Sequence, residues 1–472
     1  MLERELSTLS IDSSSNLPID KLPNELLAKI FYLAAMETRH DSIPAPFIIS
    51  QTCQRWRTVA LSTSDLWKFI SFNFPLSSIQ YLRANSMLSR SPTFPLDLLM
   101  DFRDPSWDWE EEPHGFTSNG MRSVIRLLEP HINRLQDVDI LLDTWAPMHT
   151  FLLETQKLDV ASLPALKRLS LSRCNAYFAL KGQIFQPQHL RDPLPLFGGI
   201  PLPGLNHLSL VGVHVDWSAA ASSLSNLTSL ELKYHAPDVL PTWKEFADLI
   251  AGSPDLRHLS VIGSCPGGAA GSTLISALML SHFTLGFVDV DDAVQFVSSM
   301  HFPALESLSL EDIRNALDPF QAMQDASALL ECFVRVTNST IPLHGIRSLK
   351  LNEIYTTKEE ALDSFFSILS SVTEMDLSES IPLGALEPSP GVVPCPLLRT
   401  LQYRSYDDWS KVCSLVYSRR DLGIPLHNFH VIFQQEPDNL QALLQAGVLV
   451  TIDTNSDSEE DESSYSFRSR SP

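Results

Sequence analysis

The chain of 472 residues lacks any run of about 18 apolar residues, so no transmembrane helix is expected. Its first residues, MLERELSTLSIDSSSN, carry charges of both signs and no apolar core segment, unlike a secretory signal. Basic residues are in short supply: 34 Lys and Arg stand against 56 Asp and Glu, a formal net charge of -22. Neutralising a phosphate backbone needs a basic face, so nucleic-acid binding is disfavoured, as is attraction to an anionic membrane. The six cysteines, Cys53, Cys174, Cys265, Cys332, Cys395 and Cys413, are scattered singly. There is no CxxC pair and no histidine cluster at ligand spacing, so neither a metal site nor a disulfide framework is expected. A reducing cytoplasmic or nuclear interior fits best, with the thiols acting as small apolar residues.

Signatures of catalysis are missing too. No GxxxxGK[ST], GxSxG or HExxH occurs. The stretch GSCPGGAAGS from Gly263 ends without the lysine that a phosphate cradle needs, and reads as a flexible loop. No cysteine has a histidine at short range to activate it. An active site assembled from distant residues leaves no local signature, so an enzyme stays open as a third reading.

What is present begins with Leu17 to Phe72. Pro23 suits a first helical position, where a missing N–H is no loss, and Glu25 suits the helix dipole in the first turn. Leu22, Leu26, Ile30 and Leu33 recur at helical spacing, with Leu27 and Phe31 alongside. A second apolar stripe runs through Ile48, Ile49, Cys53, Trp56 and Ala60. Ser62 to Asp65 form a turn-and-cap cluster, and Leu66 and Trp67 open a short helix. The connection from Ala34 to Ala45 is expected to be a surface loop.

These residues resemble the F-box. In that family an LP-x-E-[LI]-L-x-x-IF helix precedes a C-x-x-W-R-x-[LIV]-A helix and a terminal L-W. Here Leu22, Pro23, Glu25, Leu26, Leu27, Ile30 and Phe31 match the first part. Cys53, Arg55, Trp56, Arg57, Ala60, Leu66 and Trp67 match the second. The departure is the long connection between the two parts.

Further along, one phrase recurs. LPALKRLSLSRC begins at Leu163, LPGLNHLSLVGV at Leu202, LSNLTSLELKYH at Leu224 and SPDLRHLSVIGS at Ser253. FPALESLSLEDI begins at Phe302, HGIRSLKLNEI at His344 and CPLLRTLQYRS at Cys395, with weaker copies from Asn133, Leu280 and Ser371. In L-x-x-L-x-L the last two leucines alternate with polar residues, as in a strand with one buried face. Helix-like segments lie between phrases, at Thr242–Ala251, Asp292–Met300 and Lys358–Ser370. One strand and one helix cannot bury their faces alone, whereas stacked copies can. The pattern resembles irregular leucine-rich repeats, about nine or ten of them. Leu169, Leu171, Leu208, Leu210, Leu308, Leu310, Leu349 and Leu351 are expected to be buried. His207 and His258 share a slot with Arg168, Ser229, Ser307 and Ser348, and that varied occupancy points to solvent.

The resulting expectation is an α/β chain: a small helical F-box module, then an irregular leucine-rich-repeat solenoid with a curved parallel sheet and outer helices. Its parts are a disordered N-terminus over 1–16, the module over 17–72 and a connecting segment over 73–120. The repeats follow over 121–450, then an acidic, Arg/Ser-rich disordered tail over 451–472. In the tail Ser456 and Ser458 precede acidic residues, but plain solubilisation is the favoured reading. In the connecting segment the loop DFRDPSWDWEEEPHGF holds Trp107 and Trp109. They are read as pins onto the next domain, with exposed contact residues as the alternative.

The resemblance implies a function. F-box proteins are substrate receptors of Skp–cullin–F-box ubiquitin ligases. The F-box docks on a Skp-type adaptor and through it a cullin, and the repeats hold a protein client whose identity the sequence does not give. Adaptor contacts are expected from Leu22, Pro23, Leu26, Ile30 and Trp67, with Trp56, Ile49 and Cys53 in the module's own core. Such a receptor is not itself an enzyme and needs no cofactor. The second reading is a leucine-rich-repeat scaffold or regulatory protein with no ligase role, its helical segment capping the solenoid edge.

Overall fold

Leucine alternating with polar residues makes short strands, and in this protein the strands stack. Among the residues that the computed structural model describes, fourteen strands form one open parallel sheet in chain order, from Phe69–Asn73 to Val448–Ile452. Two more short strands, Ile275–Ser276 and Met300–His301, pair with each other. The structure describes residues 18–38, 44–109, 111, 113–158, 161, 163–173, 179–268, 274–317, 322–378, 380–388, 392–405, 409–433 and 440–452. The expected disordered N-terminus at 1–16, the expected tail from 453 onward and Cys174 lie outside these, whereas Thr451 and Ile452, expected in that tail, end the last strand.

The register explains the sequence phrase. Leu169 pairs with Leu208, Leu208 with Leu230, and Leu230 with Leu259. Leu171, Leu210, Leu232 and Val261 form a second ladder two residues on. All eight leucines expected to be buried are buried. Between the ladders Ser170, Ser209, Glu231 and Ser260 align on the other face. A one-residue slip would exchange the apolar and polar rows, so the pattern fixes the pairing.

Helices close the other side of the apolar ladders. Trp243–Ala251, Val290–Ser298 and Glu359–Ile368 form where helical spacing suggests, each within a few residues of the expected bounds. Thr242 and Glu245 make a capping box on the first, and Asp289 accepts from the N–H groups of Asp291 and Asp292 on the second. In the phrase LPGL, a Cβ on Gly204 would stand 2.5 Å from the Pro164 carbonyl oxygen, so glycine permits the approach of adjacent repeats. The result is a repeat solenoid whose sheet is open and not a barrel.

Several expectations are corrected. The sheet starts at Phe69, so residues 73–120 are not a connector. Strand Leu96–Asp101 and helices Ser78–Arg90 and Ser118–Leu128 are repeat elements. The ten recurring phrases all become strands. Phe69–Asn73, Asn428–Phe433 and Val448–Ile452 join them without the leucine pair, because Phe, Ile and Val fill inward positions as well as Leu does. Near the N-terminus, helix α1 runs Asn24–Glu37, so Ala34 to Glu37 are helical and not loop. The stripe from Ile48 to Ala60 is two helices, α2 (Ala45–Thr52) and α3 (Gln54–Ser62). Cys53 between them is extended, and its sulfur accepts from the Trp56 N–H at 3.4 Å.

Polar groups inside the stack are matched between repeats. His235 is fully enclosed, with Nδ1 2.9 Å from Ser264 Oγ and Nε2 3.1 Å from the Val213 carbonyl oxygen. Burial pushes its pKa from 6.5 down to about 3. Between those two values the unfolded chain holds the extra proton, so this group's stabilising contribution is lost as pH falls. Replacing His235 with Gln should flatten the decline of melting temperature between neutral pH and about pH 4.5, read by calorimetry. Separately, Leu349→Ala should cost about 2–5 kcal/mol in chemical denaturation, because it empties a site that the packed ladders cannot refill.

Candidate functional site

Helix α1 has two apolar faces, and only one is used by the fold. Leu27, Phe31 and Ala35 recur every four residues and are buried. Phe31 meets the half-buried Trp56 of α3 with ring centroids 4.9 Å apart. On the other side Leu26, Ile30 and Leu33 are 51%, 44% and 55% exposed. Their spacing of four and three residues places them on one stripe. Ile48 of α2 and Leu61 of α3 are exposed as well. Single exposed leucines are ordinary, but an ordered stripe on a helix is the form taken by grooves and helices that meet a partner.

The start of α1 is held by α3. Arg55 donates from Nε to Asn24 Oδ1 at 3.2 Å, and from Nη2 to the same oxygen and to the Leu22 carbonyl. Pro23 is exposed, while Leu22 is half-buried and packs against the core. Pro23, Leu26 and Ile30 are thus open to a partner, with Leu22 at the margin of the same surface.

Trp67 is not part of that surface. Its side chain is 0% exposed, its Nε1–H donates to the Ala60 carbonyl at 2.9 Å, and Phe47 meets its ring edge-on at 5.3 Å. Arg90 lies 4.3 Å over the ring. Trp67 joins the module to the first repeat and, contrary to the expectation from the sequence, presents no surface to a partner. Of the three residues expected in the core, Ile49 is buried, Trp56 is half-buried and Cys53 is exposed. Leu33 belongs to the open stripe although it was not among the expected contacts; its helical phase with Leu26 and Ile30 is the signal that identifies it.

The polar face of the sheet carries charges of both signs in close pairs, within one strand at Glu231 and Lys233 and across neighbouring strands at the other two. Lys233 lies 3.1 Å from Glu231, Arg168 3.6 Å from Asp137, and Lys350 3.5 Å from Asp376. Burial opposes ionisation of Glu231, but Lys233 and Ser209 outweigh it and hold the carboxyl below its ordinary range. His258 is exposed as its slot suggests and stacks on His282 at 4.5 Å; His207 is only half-buried. Burial, with Arg168 beside it, brings His207 down to about 4, so it is neutral at pH 7.

Chemistry is sparse in this arrangement. Among the described residues no group of three or more His, Cys, Asp or Glu is placed to hold a metal. Burial pushes the Cys395 thiol up to about 12, far from the thiolate a nucleophile requires. No helix of the described residues is long and apolar enough to cross a membrane.

No family model and no curated protein matches the chain. Among solved structures, it is matched to a chain in the crystal structure of the Rad7 and Elc1 complex in yeast. The identity is 14%, the TM-score is 0.35, and the match covers 82% of this chain and 88% of that one. That likeness assigns neither activity nor partner.

The two faces of the module respond differently to truncation. Leu26→Ala and Ile30→Ala should each change folding stability by no more than about 0.5 kcal/mol, as surface substitutions do. Trp67→Ala should cost about 3–5 kcal/mol. Urea denaturation followed by circular dichroism separates the two cases.

Proposed function

We propose that this protein is a substrate-receptor subunit of a Skp–cullin–F-box ubiquitin ligase. The observation that carries the reading is the sorting of the motif residues. Leu27, Phe31, Ala60, Leu66 and Trp67 are buried, which leaves Pro23, Leu26 and Ile30 as an apolar face with no structural duty. A motif whose core positions fold the module and whose remaining apolar positions stay in water is built for a partner.

The partner in this reading is a Skp-type adaptor, which receives Pro23, Leu26 and Ile30 in an apolar groove with Leu22 at the rim. The adaptor links the chain to a cullin. The repeat domain holds a protein client, on a face whose paired charges favour recognition by shape and individual side chains. The receptor breaks no bond. Its contribution is proximity, which turns a chance encounter between client and ubiquitin-loading machinery into a positioned one. No cofactor enters, and the setting is cytoplasmic or nuclear. The continuous core between module and repeats suits this role, because a rigid receptor presents its client in one place.

Co-expression with a Skp-type adaptor tests the proposal. The full chain should co-elute with the adaptor. The Leu26→Ala/Ile30→Ala double variant should remain folded but lose affinity roughly a hundredfold, as two truncated anchors of about 1.4 kcal/mol each give. Unchanged affinity in that variant would remove the contact assignment. No adaptor on the unaltered chain would leave a repeat scaffold outside any ligase.

A further inference from the structure

The loop from Phe102 to Thr117 crosses the C-terminal ends of neighbouring strands and is anchored by buried polar groups. Glu111 turns inward, where it accepts from Arg173 and from the Trp145 N–H at 3.0 Å. Asp143 accepts from the Asp104 N–H at 2.6 Å and lies 3.1 Å from His114 Nε2. Phe102 and Phe116 stack at 3.6 Å beneath the loop. These contacts fix the segment without help from Trp109.

Trp109 stands outward instead. It is 64% exposed, with a backbone φ of 69°, a left-handed conformation uncommon for a bulky side chain. Its ring lies 5.0 Å from that of Trp107 at an interplanar angle of 37°. Trp107 is half-buried and meets His114 edge-on at 6.3 Å, so it backs the outer ring. Of the two sequence readings of this pair, pinning therefore describes Trp107 and exposure describes Trp109. Asp108 stands between the two tryptophans in sequence, and Asp104 lies three residues before Trp107. Hydrogen bonds from Ser106 hold Asp104 below the ordinary carboxylate range.

We infer that the Trp107–Trp109 ridge is a docking site for a lysine or arginine side chain of a partner polypeptide. An indole face is the best aromatic surface for a cation. The net charge of -22 draws basic segments toward the protein and repels acidic or phosphorylated ones. The site is separate from the exposed stripe of α1 and does not depend on the adaptor reading.

The test uses the full chain, without adaptor, and a dye-labelled peptide rich in lysine together with its acetylated form, followed by fluorescence anisotropy. Trp109→Ala keeps the charge, so it separates the ring's contribution from long-range attraction. The lysine peptide should bind the unaltered chain and weaken roughly fivefold with Trp109→Ala. Trp109→Phe should restore most of that loss, and the acetylated peptide should not bind. Circular dichroism of each variant checks the fold. Equal affinity for Trp109→Ala would reduce the effect to net charge and overturn the site. Equal binding of the acetylated peptide would make it an apolar contact, and no binding to the unaltered chain would overturn it outright. None of these failures bears on adaptor binding.

Discussion

Everything in this structure depends on the burial of two apolar side chains per strand against their counterparts in the next strand. Ile70 pairs with Leu98, Leu98 with Val138 and Val138 with Leu169, and the same inward row continues to Phe429 and Val448. Each fully buried leucine contributes about 1.5–3 kcal/mol relative to exposure, and no single repeat can collect that gain without neighbours. The helices, the insertions and the loops at the strand ends are all arranged around those rows. Variable spacing between phrases is tolerated because the sheet needs only the inward pair in register, whatever the chain does between strands.

The N-terminal helices are part of the same body. Trp67 binds the Ala60 carbonyl on one side and lies under Arg90 of the first repeat helix on the other. Strand Phe69–Asn73 follows two residues later and pairs at once with Leu96–Asp101. The buried face of the module is thus continuous with the core of the stack, while its second apolar face stays in water.

Charge is handled differently inside and outside. The buried guanidinium of Arg419 donates to the Pro394 and Cys395 carbonyls at 3.1 and 2.8 Å, tying a helix to the turn that leads into the strand before it. Arg173 meets Glu111 in the same enclosed manner and lies over the Trp145 and Phe185 rings. Buried polar groups of this kind need their partners, since an unpaired one costs more than the bond returns. Among the described acidic residues Asp143 and Asp312 are buried, and water and salt screen most of the others.

The strand rows and the helix positions were legible in the sequence because they follow from periodicity, which is local. Leu169, Leu171, Leu308 and Leu310 announce a buried face by alternation alone, and Leu26, Ile30 and Leu33 announce a helical stripe. Three things were not local. The strands at Phe69 and Val448 use other apolar residues, so only their pairing reveals them. Trp67 looks like a contact residue in one dimension and is a core residue in three, because its burial depends on Phe47 and Arg90 folding over it. Trp109 looks like a pin and is exposed, because Glu111 and Asp143, through partners distant in sequence, already hold the loop. Sequence determined which residues are apolar and in what phase; tertiary packing decided which of two apolar faces is consumed by the fold and which is left in water.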